Sequence, residues 1–204
     1  MTTALFFALA GYFCGGVLFA RLAADLFGKT AILRESQDGN PGAANAFTYG
    51  GFWCGALVLC GDLFKGFLPV RLYLKSAAAS HAPLLLALVL AAPVIGHAFP
   101  LFYRFQGGKG IAVTFGCLLG LVPNWRPALT LALTFLFFSL VVCIAPHSHR
   151  TAVTYLCAAI LMAVDRVEPG VLLGFGLMTA VVLLRLSLSK EARRKPEVKL
   201  LWRS

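Results

Sequence analysis

The chain has 204 residues, 59% of them hydrophobic and 13% charged, with a net charge of +10 and a mean hydropathy of +0.83. A soluble domain is typically about 45–50% apolar and about 25% charged, so this composition excludes an ordinary water-soluble fold. The basic excess does not mark a nucleic-acid binder: no basic patch is interleaved with exposed aromatics, and seven of the 18 Lys and Arg residues lie from Arg185 onward, a pattern suited to an anionic membrane surface.

Taken in chain order, the apolar runs cover residues 3–27, 51–74, 82–102, 111–123, 127–145, 151–164 and 169–187. They lack the polar-in, apolar-out alternation of barrel strands, and a helix of roughly 20 apolar residues crosses the hydrocarbon core. The sequence therefore predicts an all-α integral membrane protein of about seven transmembrane helices. The runs from 111 and 151 are short and fit a tilted, broken or re-entrant helix. The first run has no basic segment before it and reads as a retained span rather than a cleaved signal.

Thirteen of the 18 basic residues fall on one side if the N-terminus is outside and the C-terminus cytoplasmic, the orientation that the positive-inside rule selects. Residues 1–187 then form a single polytopic domain, and residues 188–204 a basic cytoplasmic tail suited to the membrane interface. The six cysteines sit mostly within apolar runs, without metal or disulfide spacing, and read as small hydrophobes.

Three polar features stand out. The first is Asp38-Gly39-Asn40-Pro41-Gly42-Ala43-Ala44-Asn45, where glycines permit close backbone approach and two carboxamides offer hydrogen bonds to hydroxyls or phosphate oxygens. An ordinary turn before the second helix is the competing reading. The second runs from Gly96-His97-Ala98-Phe99-Pro100 through Arg104 to Gly107-Gly108-Lys109-Gly110, which opens an apolar helix. A glycine loop, a helix N-terminus and a lysine together suit an anion, although a basic turn explains the same residues. The third is Asp62 and Lys65, three residues apart on one helix face at membrane depth, readable as a structural ion pair or as added positive potential for a phosphate pocket.

His147, His149 and Arg150 read as a solvated basic connector, and Asp165 and Glu168 as an acidic one. No Walker A loop, HEXXH, Ser-His-Asp arrangement or H-x4-D motif is present.

The order DGNPGAAN, GDLFKG and GHAFPLFYRFQGGKGIAVT resembles the acyl-phosphate-dependent glycerol-3-phosphate acyltransferases of bacterial membranes, over most of residues 10–120. The resemblance implies a seven-helix enzyme of the bacterial inner membrane. Such an enzyme moves the acyl group of a fatty acyl phosphate to glycerol 3-phosphate, giving lysophosphatidic acid and phosphate, with no metal or nucleotide cofactor and with membrane lipid as surroundings. It makes His97 and Lys109 the catalytic candidates. Asp38, Gly39, Asn40, Gly42, Asn45, Lys65, Arg104, Gly107, Gly108 and Gly110 become the substrate-binding candidates. Positioning two anions and stabilising developing charge suffices for this chemistry, with the hydroxyl proton left to a phosphate oxygen or to His97.

The family usually reads S-G-N-x-G-A-T-N-x-x-R, where this chain has Asp38, Ala44 and Thr48, and the tail matches an H-x-x-N-I-x-R-like segment only loosely. These departures keep three alternatives open: a changed acceptor, a non-catalytic lipid- or phosphate-binding protein, and, from the intramembrane Asp62 and Lys65, a small transporter.

Overall fold

The computed structural model describes residues 1–29, 42–77, 82–189 and 195–201. Among the described residues, nine α-helical segments carry nearly all of the order. They are α1 (Thr2–Gly15), α2 (Phe19–Leu26), the short α3 (Ala43–Asn45), α4 (Phe52–Lys75), α5 (Pro83–Ala98), α6 (Ile111–Leu119), α7 (Arg126–Leu136), α8 (His147–Val164) and α9 (Pro169–Ser187). Proline opens α5, α7 and α9, where its missing N–H costs nothing because the first amides of a helix have no intrahelical acceptor.

Among the described residues, four helical stretches are long and apolar enough to cross a membrane: Thr2–Leu26, Phe52–Lys75, Pro83–Tyr103 and Pro169–Ser187. The run from 111 yields only the nine residues of α6, about 14 Å of helix against a core of about 30 Å. The run from 127 is α-helical to Leu136, passes through a π turn at Phe137–Val141 and then extends as a strand, β1 (Val142–Ala145). Phe6, Trp53, Phe64, Leu133 and Ile160 are all more than half exposed, which is costly in water and ordinary against acyl chains.

The tail differs from a free interfacial segment. Its residues Glu197–Leu200 form β2, antiparallel to β1 in the register Val142↔Leu200 to Ala145↔Glu197. The strand satisfies backbone groups that β1 exposes once its helix has ended.

Helix α5 is the hub, packed between α1 and α9, while α4 packs on α6 and α1. The contacts are made backbone to backbone. A Cβ added at Gly15 would run into the carbonyl of Pro93, and one at Gly96 into the carbonyl of Tyr12, so α1 and α5 each present a glycine to the other's main chain. The same reciprocity joins α4 and α6, with Gly66 against the Val113 carbonyl and Gly116 against that of Leu63. Lipid gives little hydrophobic drive for helix association, so this close approach supplies the attraction through dispersion. Farther along the bundle, Tyr155 of α8 stacks on Phe175 of α9 with centroids 5.6 Å apart.

Gly15→Ala and Gly96→Ala should each destabilise the detergent-solubilised protein by about 1–3 kcal/mol through overpacking. Gly176→Ala, where nothing lies within 4 Å of an added Cβ, should leave the thermal midpoint where it was. Equal midpoints for all three variants would refute the close-packed interface.

Candidate active site

The site is built on a break. Helices α1 and α2 are interrupted at Gly16–Leu18, and the interruption turns the Val17 carbonyl away from helical pairing. Lys65 of α4 donates to that carbonyl at 2.6 Å. The same Nζ lies 2.8 Å from Asp62 Oδ1 and 2.7 Å from His97 Nδ1, and all three side chains are almost fully buried. Asp62 Oδ1 is 3.9 Å from His97 Nδ1, so the lysine is the carboxylate's nearer partner. The cluster sits about 20 Å along α4 from Phe52 and about 15 Å from Lys75, recessed from both ends of the helix.

His97 closes α5, and the chain then turns back sharply. A 3-10 turn at Leu101–Tyr103 is followed by Arg104 and Phe105, both in the left-handed region with φ of 52° and 59°. The returning glycines dock on the end of α5. Gly107 N–H donates to the Ala98 carbonyl at 3.2 Å and Gly108 N–H to the His97 carbonyl at 3.0 Å. A Cβ on Gly108 would collide with His97 Nε2, so the imidazole packs against a residue that has no room for a side chain. Gly110, at φ 82°, turns the chain into α6.

Arg185 clamps this loop from α9: it donates to the Gly107 carbonyl, and its guanidinium lies over the Phe99 ring at 5.7 Å. Tyr12 of α1 donates to the Phe99 carbonyl at 2.9 Å. Arg21 of α2 lies over the Tyr103 ring at 4.8 Å.

Among the residues expected from the sequence, His97, Lys65, Gly107, Gly108, Lys109 and Gly110 come together. Lys109 is buried at the mouth of α6, whereas Arg104 is exposed. The Lys65 ammonium lies against Val17, Asp62 and His97. Gly107 and Gly108 spend their amides closing the loop onto α5, and the first-turn amides of α6, just after Lys109, have no intrahelical acceptor.

Gly42 precedes α3 and Asn45 is its last residue; Ala43 packs on a small second core made of Ala20, Ala23, Ala24, Ala46, Cys54 and Val58. Asp38, Gly39 and Asn40 lie outside the described residues. Sequence reasoning missed Arg185 and Tyr12. Arg185 carried a readable signal as the sole charged residue in the apolar helix Pro169–Ser187.

With that geometry in place, comparison with known proteins is decisive at the level of family. A statistical model of glycerol-3-phosphate acyltransferases matches residues 5–194. The chain belongs to the glycerol-3-phosphate acyltransferase family. Relatives include the glycerol-3-phosphate acyltransferase of Pseudomonas putida strain GB-1, 42% identical over 126 residues, which are 62% of this chain and 63% of that protein. The enzyme of Serratia proteamaculans strain 568 is 40% identical over 57% of this chain and 53% of its own length. The matched segment thus spans less than two thirds of either relative.

Two crystal structures of PlsY (YgiH), an integral membrane glycerol 3-phosphate acyltransferase, are similar over nearly the whole chain. The glycerol 3-phosphate form has a TM-score of 0.76 at 28% identity, covering 91% of this chain and 88% of that one. The lysophosphatidic acid form has a TM-score of 0.73, also at 28% identity, covering 89% and 87%. With its four long apolar helices, this family member is a multi-pass helical membrane protein.

Removing one partner from the buried ion pair should be costly. Lys65→Met should destabilise the protein by about 3–5 kcal/mol by stranding Asp62, and the double variant Asp62→Asn/Lys65→Met should recover much of that loss. A double-mutant cycle by thermal unfolding in detergent reads the coupling, and additive effects would rule the pair out as a structural unit.

Proposed function

We propose that the chain transfers the acyl group of a fatty acyl phosphate to glycerol 3-phosphate, releasing phosphate and forming lysophosphatidic acid in phospholipid biosynthesis. The observation that carries this reading is the likeness to PlsY in its glycerol 3-phosphate form over 91% of the chain, together with a loop whose lysine and helix N-terminus suit an anion.

In this reaction the glycerol hydroxyl oxygen bonds to the acyl carbonyl carbon and the bond from that carbon to the phosphate oxygen breaks, phosphate leaving with the electron pair. No covalent acyl-enzyme is required, since phosphate is already a good leaving group. Lys109 and the α6 N-terminus hold a phosphate and offset the charge that develops on it. His97 lines the same loop, and Gly42 and Asn45, with Asp38, Gly39 and Asn40, are the further residues read as substrate-binding. Arg104, exposed near the loop, draws anions toward it. The reading requires neither metal nor nucleotide.

The same proposal places residues 1–187 in the bacterial inner membrane as one domain with seven crossings, N-terminus outside, and residues 188–204 on the cytoplasmic side. The short α6 and the helix interrupted after Leu136 then act as incomplete crossings, shielded by neighbouring helices.

Purified protein given palmitoyl phosphate should form lysophosphatidic acid and release phosphate only when glycerol 3-phosphate is present. Lys109→Ala should lower kcat/KM by about 10²-fold, the loss expected for one charge-stabilising group. No product from folded protein would remove the reaction and favour a changed acceptor or a binding role; wild-type kinetics in Lys109→Ala would remove the phosphate site.

A further inference from the structure

The sequence reads His147, His149 and Arg150 as a solvated connector, but the structure makes them the opening turn of α8 and buries part of the arginine. Arg150 Nε is shielded from solvent and has no hydrogen-bond partner, and Arg150 takes part in none of the ion pairs among the described residues. One turn farther along, Thr154 is fully buried, and its hydroxyl has no partner either. The other buried threonines show what is unusual about this. Thr114, Thr134, Thr151 and Thr179 each give their proton to the carbonyl four residues back, at 2.7–2.9 Å, and Thr154 does not.

Positions 150 and 154 share a face of α8, about 6 Å apart along its axis, so two buried donors stand together with nothing to accept from them. A buried donor left unpaired is costly, and more so within a bilayer. The guanidinium keeps its charge at any pH, and the first amides of α8 add positive potential beside it. What completes such a site is an anionic oxygen. Its depth selects the chemistry: the apolar run of this helix starts at residue 151, which puts Arg150 where the headgroup layer, about 5–8 Å thick on each side, meets hydrocarbon. A phosphate has oxygens enough to accept from a guanidinium and a hydroxyl at once. We propose that Arg150 and Thr154 form a phosphate site on α8, to which the glycine loop gives no residue, filled by the headgroup of a membrane phospholipid or by a soluble phosphate. The inference holds whatever reaction the chain performs.

Native mass spectrometry of the full chain in an uncharged maltoside detergent reads the lipid source. Phosphatidylglycerol is the probe, and diacylglycerol with the same chains is the control that lacks phosphate. The wild type should retain one phosphatidylglycerol per chain, and Arg150→Gln and Thr154→Val should each retain about tenfold less, with diacylglycerol unchanged in all three. Thr154→Val keeps the branched shape and removes a hydroxyl that makes no bond within the protein, so its fold is not at risk. If Arg150→Gln does not fold, Thr154→Val decides alone.

Thermal unfolding of the same proteins reads the soluble source, with inorganic phosphate and glycerol 3-phosphate as probes. A midpoint that rises with either probe in the wild type and not in the variants assigns the site to a soluble phosphate. A rise that is equal in all, beside lipid retention that differs, assigns it to the headgroup. Equal lipid retention and equal midpoint shifts throughout would overturn the proposal and leave Arg150 Nε and the Thr154 hydroxyl to an ordered water. Neither arm depends on acyl transfer, so a protein that binds as expected without turnover would count against the proposed reaction and not against this site.

Discussion

One ammonium group organises the centre of this protein. Lys65 reaches from α4 to a carbonyl set free by the break between α1 and α2, to a carboxylate one turn back on its own helix, and to His97 near the end of α5. Within a hydrocarbon environment each of these polar groups is expensive unless paired. Their contacts with the one ammonium tie together the break, α4 and the end of α5. An isolated charge here would be prohibitive, whereas a shared one is a joint between three segments.

The glycine loop depends on that joint. Because His97 is held by Lys65, its carbonyl and that of Ala98 stand in fixed positions to receive the amides of Gly108 and Gly107. Arg185 and Tyr12 then secure the loop from α9 and α1 through backbone carbonyls. The N-terminus of α6 is thereby aimed by contacts to the backbone of the loop, with Lys109 at its opening. Dipoles and charges act strongly only when a rigid frame orients them in advance.

Much of this was legible in the sequence. Hydropathy located the apolar segments, the spacing of Asp62 and Lys65 put them on one face, and glycines around a lysine before an apolar run marked the loop that docks on the end of α5. What the sequence hid were partners far apart in the chain. Lys65 and His97 are 32 residues apart, and Arg185 and Gly107 are 78 apart; no periodicity connects them. Hydropathy also treats 127–145 as one span, because Val142, Cys143 and Ile144 are as compatible with a strand as with a helix. Only the pairing with Val198 and Leu200 selects the strand. Asp38, Gly39 and Asn40, in the first polar loop, lie outside the described residues.

The reciprocal contacts between α1 and α5 carry a genetic consequence. Every single-base change in a glycine codon that alters the residue introduces a side chain, so Gly15 and Gly96 have no tolerated neighbour one mutation away. The obstruction at each is a main-chain carbonyl, of Pro93 and of Tyr12, which no second substitution can trim. Drift at these two positions is therefore closed from both sides of the interface, and the outer surfaces of the same helices, which meet only lipid, are where variation can accumulate.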